Sequence, residues 1–376
     1  MTRNWWIDHL RAFITVLVVA HHATLSYTTF AWFNKDAYIT STHPVVDTTR
    51  WKGLDLFVNF NDIFFMSLMF LISGIFVMSS LQRRSVGTFI RDRFYRLFIP
   101  FITGVTVLML LAYYPAYFLA HGQHDIKGYI VDYFTVEAWP VGPPWFIWVL
   151  FLFNLVFALC YPFIKNGLHV PKLFLSWYII TWLLYVPLAV AVNPEAWTGI
   201  GPFDFQISRM PLYFGYFMLG VLIGAKGLNN GPFASGAAFV RKWPFWLFCS
   251  LAVFVFLKLS EAPLLGMVDR LELSLLQATI IYRSIWVLSC MMSCIACLTT
   301  FKSLFHQANS WWKSLSANAY GIYLVHYIFV VWCQYLLLEF HLPALVKALI
   351  TFVVAVVVSW WVTALARKNN LIKKYL

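Results

Sequence analysis

Long apolar segments alternate with short polar ones along the whole chain. A helix that spans a bilayer needs about 20 predominantly apolar residues, and this pattern predicts ten such helices. They cover residues 8–31, 54–80, 95–120, 144–164, 173–192, 208–226, 244–261, 275–300, 317–338 and 343–366. We therefore expect an all-α, polytopic membrane protein of about ten transmembrane helices around a central pore-like cavity. No polar segment is long enough to fold alone, so residues 1–376 are interpreted as one integral-membrane domain.

The charge distribution predicts the orientation of these helices. Hydrophobic residues make up 61% of the chain and charged residues 11%, whereas a soluble domain is about half apolar and a quarter charged. An even number of spans leaves both termini on one side of the membrane. That side carries 18 Lys or Arg and two acidic residues, whereas the other side carries nine Lys or Arg and 13 acidic residues. Cytoplasmic loops are rich in Lys and Arg, so both termini are predicted to be cytoplasmic. The net charge of +12 reports this orientation and does not indicate nucleic-acid binding.

The first predicted span carries ionisable residues, each of which costs about 3 kcal/mol or more inside a membrane unless it faces protein or water. Arg11 and His22 are 11 residues apart, so they share one helix face about 16 Å apart along the axis, and Asp8 lies near that face. His21 points roughly 100° away. Histidine can take and return protons near neutral pH. The stripe either leads to a catalytic histidine in mid-bilayer, or it is a capped helix start whose histidines bond neighbouring helices.

An arginine cluster opens the third predicted span. Arg93 and Arg96 lie one helical turn apart, and Arg91 adds to them. Such a cluster suits a polyphosphate, for example the nucleotide of coenzyme A, and Arg11 is a further candidate for a phosphate contact. The alternative is a basic cytoplasmic flank that contacts lipid headgroups.

Two later spans also carry polar residues. Ser316, Tyr320, Tyr323 and His326 recur at spacings that put them on one helix face, which faces either a site or a hydrogen-bonded partner helix. Arg283 lies in the middle of the eighth span and needs an anionic partner, polar ligands or water. The candidate partners are Asn59, Asn61, Asp62 and Glu272.

The remaining polar segments suggest an acceptor side and a lipid-facing end. The predicted outer loops 32–53, 121–143 and 193–207 mix acidic and aromatic residues, which suits a sugar or another polyol, although an interfacial aromatic belt gives the same pattern. Six cysteines lie in apolar segments with no zinc-site spacing, so we expect packing residues and no metal. The C-terminal cations, interpreted as solvated and lipid-facing, are Arg367, Lys368, Lys373 and Lys374.

In their order and spacing, the motifs of this chain resemble acyltransferase family 3, the bacterial membrane O-acyltransferases. The motifs that carry the resemblance are Asp8 with Arg11 and His22, the FLISG run Phe70–Gly74, the block Arg93, Arg96 and Pro100, the pair Trp145 and Phe146, the helix with Phe217, Gly220 and Gly224, and the face from Ser316 to His326. Two positions depart from many sugar O-acetylating members: Ser67 replaces an Asp and Leu150 replaces a Glu. We expect no fused esterase-like domain, which makes the chain more similar to the stand-alone branch of the family, a branch that includes enzymes that succinylate periplasmic glucans.

The resemblance implies an acyl-CoA-dependent O-acyltransferase of the bacterial inner membrane. Acyl-CoA would dock from the cytoplasm, with its phosphates near the arginines Arg11, Arg91, Arg93 and Arg96. His22, with Asp8 and Arg11 nearby, would act as general base on a hydroxyl of an extracytoplasmic glycan or sugar, or would carry the acyl group transiently. Acetyl and succinyl are the expected acyl groups. The residues expected to line the acceptor side or stabilise the oxyanion are Ser316, Tyr323 and His326.

Two other classes of protein remain alternatives at this point. A transporter or flippase for a polyol or lipid-linked sugar would also explain ionisable residues inside the membrane. A non-catalytic membrane scaffold would pack its polar stripes against each other, with no cavity between them.

Overall fold

The computed structural model describes residues 4–135, 139–164, 174–234, 236–305, 307 and 309–375. Twelve main helices account for most of this part of the chain, so the predicted helical fold is confirmed. In chain order they are α1 Trp5–Leu25, α2 Lys52–Leu81, α3 Val86–His121, α4 Ile126–Thr135, α5 Trp145–Ile164, α6 Phe174–Ala191, α7 Met210–Lys226, α8 Trp243–Asp269, α9 Leu275–Leu304, α10 Ser310–Leu336, α11 Ala344–Ala366 and α12 Asn370–Tyr375. Each of the ten predicted segments overlaps one of these helices, with ends that differ by up to nine residues.

Seven helices in the described ranges are long and apolar enough to cross a membrane: α2, α3, α5, α8, α9, α10 and α11. The apolar parts of α6 and α7 are shorter, at Leu175–Ala191 and Met210–Lys226, and α1 carries the charged stripe. The protein is therefore a multi-pass membrane protein, while the ten-span count and the cytoplasmic termini stay predictions. The predicted inner loop 165–172 and Glu137 of an outer loop lie outside the described residues.

Helix α1 occupies the centre of the packing, in contact with α2, α9, α10 and α11. Its polar stripe therefore faces protein rather than lipid. Helix α3 contains two π-helical turns, Phe94–Phe98 and Gly104–Leu108. Such turns widen a helix locally and are frequent at functional sites. The first of them holds Arg96, and Pro100, which has no N–H to donate, follows in the next turn.

Glycines let α2 and α7 pack backbone to backbone. A Cβ atom added at Gly220 would meet the carbonyl oxygen of Leu71, and one added at Gly224 would meet that of Ile75. On the facing helix, a Cβ at Gly74 would meet the carbonyl oxygen of Phe217. Small residues allow this approach between membrane helices, so two of the quoted motifs are the two sides of one helix contact.

On the side opposite both chain ends, a buried ion pair fastens the segment between α1 and α2. Lys347 Nζ of α11 lies 2.6 Å from Asp47 Oδ2, and the two side chains are 1% and 2% exposed. Breaking a buried pair leaves one charge without its partner and costs about 3–5 kcal/mol. A two-stranded antiparallel ribbon, Trp197–Thr198 with Phe205–Gln206, lies on the same side.

Candidate functional site

His22 and His326 form a contact pair between α1 and α10. His326 Nε2 lies 3.2 Å from His22 Nδ1, and the two rings are 5.2 Å apart between centroids. His326 is fully buried and His22 is partly exposed. The structure therefore brings together two histidines that are 304 positions apart in the sequence.

The hydrogen bonds of this pair define one consistent arrangement of protons. His326 Nδ1 lies 2.7 Å from the carbonyl oxygen of Tyr323, so Nδ1 donates and Nε2 keeps its lone pair. His22 Nδ1 lies 2.9 Å from the carbonyl oxygen of Val18, so its N–H is shared between that oxygen and His326 Nε2. His22 Nε2 then carries a lone pair, which is what a general base or a nucleophile requires.

A second layer of residues holds the backbone behind His22. Gln334 Nε2 donates to the carbonyl oxygens of His22 and Ala23, at 3.1 and 3.2 Å. Its Oε1 accepts from His43 Nε2 at 2.6 Å, and the Tyr327 hydroxyl lies 3.4 Å from His43 Nδ1. Burial lowers the pKa of His43 to about 4, with a smaller contribution from His21. The sequence analysis missed Gln334 and His43, whose link spans 291 positions.

A cavity of about 570 Å³ opens at the end of the molecule that holds both chain ends. We call it the inner cavity. Six of the described residues that line it are cationic: Arg11, Arg93, Arg96, Arg367, Lys373 and Lys374. Among the described residues no acidic side chain lines it, although Asp8 pairs with Arg11 at 3.2 Å. The inner cavity therefore suits a polyanion.

Arg93 and Arg96 reach the inner cavity as their spacing predicted, whereas Arg91 does not. Arg93 also stacks over the Phe89 ring at 4.9 Å. Arg91 is exposed and lies outside the cavity lining. Two positions along a helix rotate a side chain by about 200°, so Arg91 points away from Arg93. The lysines among the C-terminal cations are exposed, as a solvated end requires. In addition, and not expected from the sequence, Arg367, Lys373 and Lys374 line the inner cavity.

The hydroxyl groups of α10 line the inner cavity but are engaged with the backbone. Ser316 Oγ donates to the carbonyl oxygen of Asp8 at 3.0 Å, and Tyr320 donates to that of Arg96 at 2.8 Å. The Tyr323 hydroxyl donates to the carbonyl oxygen of Pro143. Each hydroxyl has one proton, so these three residues position α1, α3 and the turn before α5. The expected oxyanion contact from Ser316 or Tyr323 would require these bonds to break.

The two positions where this chain departs from the family pattern have different surroundings. Ser67 is fully buried, whereas Leu150 lines the inner cavity. One turn further along α5, Asn154 lines the same cavity and donates from Nδ2 to the Leu150 carbonyl oxygen at 2.7 Å. Its Oδ1 is buried and accepts no hydrogen bond from the described residues.

A second cavity, of about 940 Å³, opens at the opposite end of the molecule, and we call it the outer cavity. Its lining combines acidic and aromatic side chains, among them Glu195, Glu261, Trp32, Trp197 and Trp286. Asp62 and Arg209 form a bidentate pair in its wall, with oxygen–nitrogen distances of 2.8 and 2.7 Å. Carboxylates beside indole rings are groups that can bind hydroxyls and the apolar faces of sugars.

Arg283 lines the outer cavity, and its closest polar contact is with a tyrosine. Its Nη1 lies 3.4 Å from the Tyr185 hydroxyl. Of the predicted partners, Asp62 makes its hydrogen bonds with Arg209 but is also close enough to interact electrostatically with Arg283. Glu272 pairs with Arg270 at 2.6 Å. Asn59 lies in the same cavity wall. Openness of the cavity to water explains how Arg283 can keep its charge.

The histidines lie between the two cavities. His21 lines the outer cavity, and its ring centroid is 5.5 Å from that of His22. Tyr323 lines the inner cavity, and its ring centroid is 5.9 Å from that of His326. A row of four aromatic side chains, Tyr323, His326, His22 and His21, therefore connects one cavity wall with the other. The scaffold alternative predicts polar stripes packed together with no cavity between them. His22 and His326 do contact each other, but Arg11 and Tyr323 of the same two stripes line the inner cavity.

The cysteines show no pattern of a metal centre. All six are free, and Cys290 and Cys294 are buried in α9. Within the ranges that the structure describes, no group of three or more His, Cys, Asp or Glu side chains is arranged to hold a metal ion.

Comparisons with known proteins show what the chain is similar to. The model of the acyltransferase domain of acyltransferase family 3 matches residues 4–364. Glucans biosynthesis protein C of Shigella dysenteriae serotype 1 (strain Sd197) is 25% identical over 234 residues, 58% of this chain and 58% of that protein. The same-named protein of Escherichia coli O1:K1 / APEC is 25% identical over 261 residues, 63% and 65%. The alignments span 58–65% of these relatives. No solved structure matches the chain.

Proposed function

This chain belongs to acyltransferase family 3, and from that premise we propose that it moves an acyl group from cytoplasmic acyl-CoA to a hydroxyl group of a glycan on the opposite side of the membrane. The family makes it a membrane acyltransferase; the donor, the acceptor and the bacterial inner membrane are the proposed parts. The observation that carries the proposal is the His22–His326 pair between a cationic cavity and an acidic, aromatic one.

The donor is proposed from the chemistry of the inner cavity. Its six cationic side chains match a nucleotide with several phosphates, and guanidinium groups bind phosphate with paired hydrogen bonds. The helical rise between Arg11 and His22 is about 16 Å, a length that an extended pantetheine arm can span. The nucleotide would then stay at the cytoplasmic opening while the thioester reaches His22.

The acceptor is proposed from the outer cavity and from the relatives. Carboxylates and indole rings line that cavity, and both relatives are named for glucan biosynthesis. We propose a glucan or related sugar polymer as the acceptor, and acetyl or succinyl as the acyl group. Membrane lipid is a further proposed partner: anionic lipid headgroups would contact the basic residues around the inner cavity, and they would not serve as the acceptor.

His22 would act through Nε2. In the direct route Nε2 takes the proton of the acceptor hydroxyl while the hydroxyl oxygen bonds to the thioester carbonyl carbon; the carbon–sulfur bond breaks, and the proton passes to the thiolate. In the two-step route Nε2 bonds to the thioester carbonyl carbon, the carbon–sulfur bond breaks and the thiolate leaves. The acceptor hydroxyl oxygen then bonds to the same carbon, the carbon–nitrogen bond breaks, and the hydroxyl proton passes to the freed Nε2 and on to the thiolate. In both routes the positive charge that develops on His22 is stabilised at Nδ1 by the Val18 carbonyl oxygen and by His326.

The test is thiol release from labelled acetyl-CoA and succinyl-CoA by purified protein with glucan acceptors. We expect His22→Ala to lose more than a hundredfold in turnover, whereas Arg93→Gln should mainly raise KM for the donor. His124→Gln, at an exposed histidine next to α3, is the matched control and should behave as wild type. Equal thiol release by wild type and His22→Ala would overturn the proposal. If wild type and all variants bind the donor but release no thiol, and if the protein takes the acceptor up into vesicles, the transporter alternative is favoured.

A further inference from the structure

We propose that the C-terminal segment Arg367–Tyr375 is part of the donor site, where Lys373 and Lys374 bind the 3′-phosphate at the nucleotide end of acyl-CoA. The inference rests on the proposed function, because it takes acyl-CoA as the donor. Coenzyme A carries this phosphate on its ribose in addition to the diphosphate of the chain. A segment that binds it would recognise coenzyme A thioesters against other acyl carriers.

The first argument is the charge that gathers around the inner cavity. Half of its six cationic side chains, Arg367, Lys373 and Lys374, come from this segment, and the other half from α1 and α3. Like charges around one cavity repel each other, and the repulsion is strongest where water is scarce. A polyanion in the cavity removes that cost, so the segment gains stability from a phosphate-bearing ligand.

The second argument is the way α12 is fixed at the cavity rim. Asn369 Oδ1 accepts from the Leu371 backbone N–H at 2.8 Å and so caps the start of the helix. At its end the Tyr375 ring lies 6.3 Å from that of Tyr95, in the π-helical turn that also holds Arg96. The segment therefore reaches back from α11 to the arginine cluster of α3.

The third argument is the two-sided character of α12. Leu371 and Ile372 are 73% and 41% exposed, whereas Lys373, Lys374 and Tyr375 line the cavity. A helix with an apolar side and a basic side lies in the membrane interface with its apolar side in lipid. Lipid would thus hold α12 in place while its lysines stay beside the cavity opening. Both lysines are exposed at the rim, whereas Arg93 is half-buried. The lysines therefore suit the outermost phosphate of the ligand, and Arg93 suits the diphosphate.

Phosphate chemistry is shared by acyl-CoA and by anionic lipid headgroups, so the experiment separates the two sources. Binding of acetyl-CoA and of 3′-dephospho-acetyl-CoA would be titrated with the full-length protein in nanodiscs of phosphatidylcholine, with and without phosphatidylglycerol. The test variant is Lys373→Gln/Lys374→Gln. The matched control is Arg241→Gln/Lys242→Gln, which removes the same charge from two exposed positions outside both cavity linings.

We expect the test variant to bind acetyl-CoA about tenfold more weakly than wild type, since hydrogen bonds between charged groups are strong. Its affinity for the 3′-dephospho form should equal that of wild type. The control should bind both ligands as wild type does, and Lys373→Arg/Lys374→Arg should restore acetyl-CoA binding. Unchanged thermal unfolding of the test variant would show that it is folded.

Three results would overturn the inference. If the test variant binds acetyl-CoA as wild type does while Arg93→Gln binds it weakly, the proposed function stands and the C-terminal segment is not part of the site. If only association with phosphatidylglycerol falls, the lysines bind lipid headgroups. If wild type binds no acyl-CoA in either nanodisc, the proposed function fails, and the inference fails with it.

Discussion

One ring nitrogen of His326 is placed to act on His22. His326 Nε2 accepts at His22 Nδ1, so it favours the tautomer of His22 in which Nε2 is free to accept a proton. A glutamine at position 326 would keep a polar group there but not the same lone pair at the same place. We expect His326→Gln to lower kcat about ten- to a hundredfold, less than the loss of a general base, and to leave KM for acyl-CoA unchanged.

Initial rates across pH check this expectation, with His124→Gln as the control. A positioning role predicts that the pH profile of kcat shifts in His326→Gln and that activity survives. Complete loss, equal to that of His22→Ala, would instead make His326 the base. Wild-type rates would reduce the contact to packing.

His43 makes the stability of the protein depend on pH through the segment between α1 and α2. Its pKa is about 4 in the folded protein, mainly because of burial, against 6.5 for an ordinary histidine. Between those values the unfolded chain binds more protons than the folded one, so stability falls as pH drops from 6.5 towards 4 and is complete above 6.5. From pH 7.5 to pH 5 the loss from this group is about 2 kcal/mol.

Thermal unfolding of His43→Gln at pH 7.5 and pH 5 measures that loss. Glutamine keeps a donor for Gln334 and does not titrate, so the variant should lose less stability than wild type on acidification. His124→Gln, at an exposed position, should follow wild type. The same drop in wild type and His43→Gln would assign the pH dependence to other groups.

At this scale the sequence predicted contacts within a helix face but not those between distant segments. Helical spacing identified Arg93 with Arg96, and Ser316 with Tyr323, and all four line the inner cavity. The bond between His43 and Gln334 joins residues 291 positions apart, and local periodicity carries no information about it. For the same reason the sequence did not identify Arg209 as the residue that hydrogen-bonds to Asp62.

The contact between α2 and α7 depends on glycine at particular positions. A methyl group at Gly220 would press on the Leu71 carbonyl oxygen, so the helices must separate. We expect Gly220→Ala to cost about 1–3 kcal/mol, the usual range for overpacking, and to lower the melting temperature by a few degrees. Gly87→Ala is the matched control, because a Cβ atom there meets nothing within 4 Å and alanine favours the helix.

Equal melting temperatures for Gly220→Ala and wild type would show that the helices adjust without cost.

The helix contact could be anticipated because small residues four positions apart mark close packing in membranes. The π-helical turns of α3 could not, because an α-helical period assigns Phe94–Phe98 and its neighbours to one uniform helix. The sequence analysis also did not predict the position of α12. Its six residues follow a membrane helix and have the composition of a basic tail, and tertiary packing alone brings them to the inner cavity.

In the whole molecule, the two cavities open at opposite ends, and the row of Tyr323, His326, His22 and His21 lies between them. The start of α1 and the end of α12 both lie on the side of the inner cavity. Arg11, near the start of α1, and Tyr375, at the end of α12, line this cavity. Together with the excess of Lys and Arg on that side, this arrangement favours a cytoplasmic inner cavity. An enzyme of this form would use a donor and an acceptor that never share a compartment.

Proteoliposomes with one orientation of the protein test that statement. The C-terminus, tagged and checked for protease access, reports the side of the inner cavity. We expect acylated glucan only when acyl-CoA is supplied on the tagged side and glucan on the other. Donor and acceptor both on the tagged side should give at most background thiol release, because the outer cavity is then without acceptor. His22→Ala in the same vesicles is the control for leakage. Full activity with both substrates on the tagged side would mean that the acceptor enters through the inner cavity, and the acidic, aromatic outer cavity would then need another role.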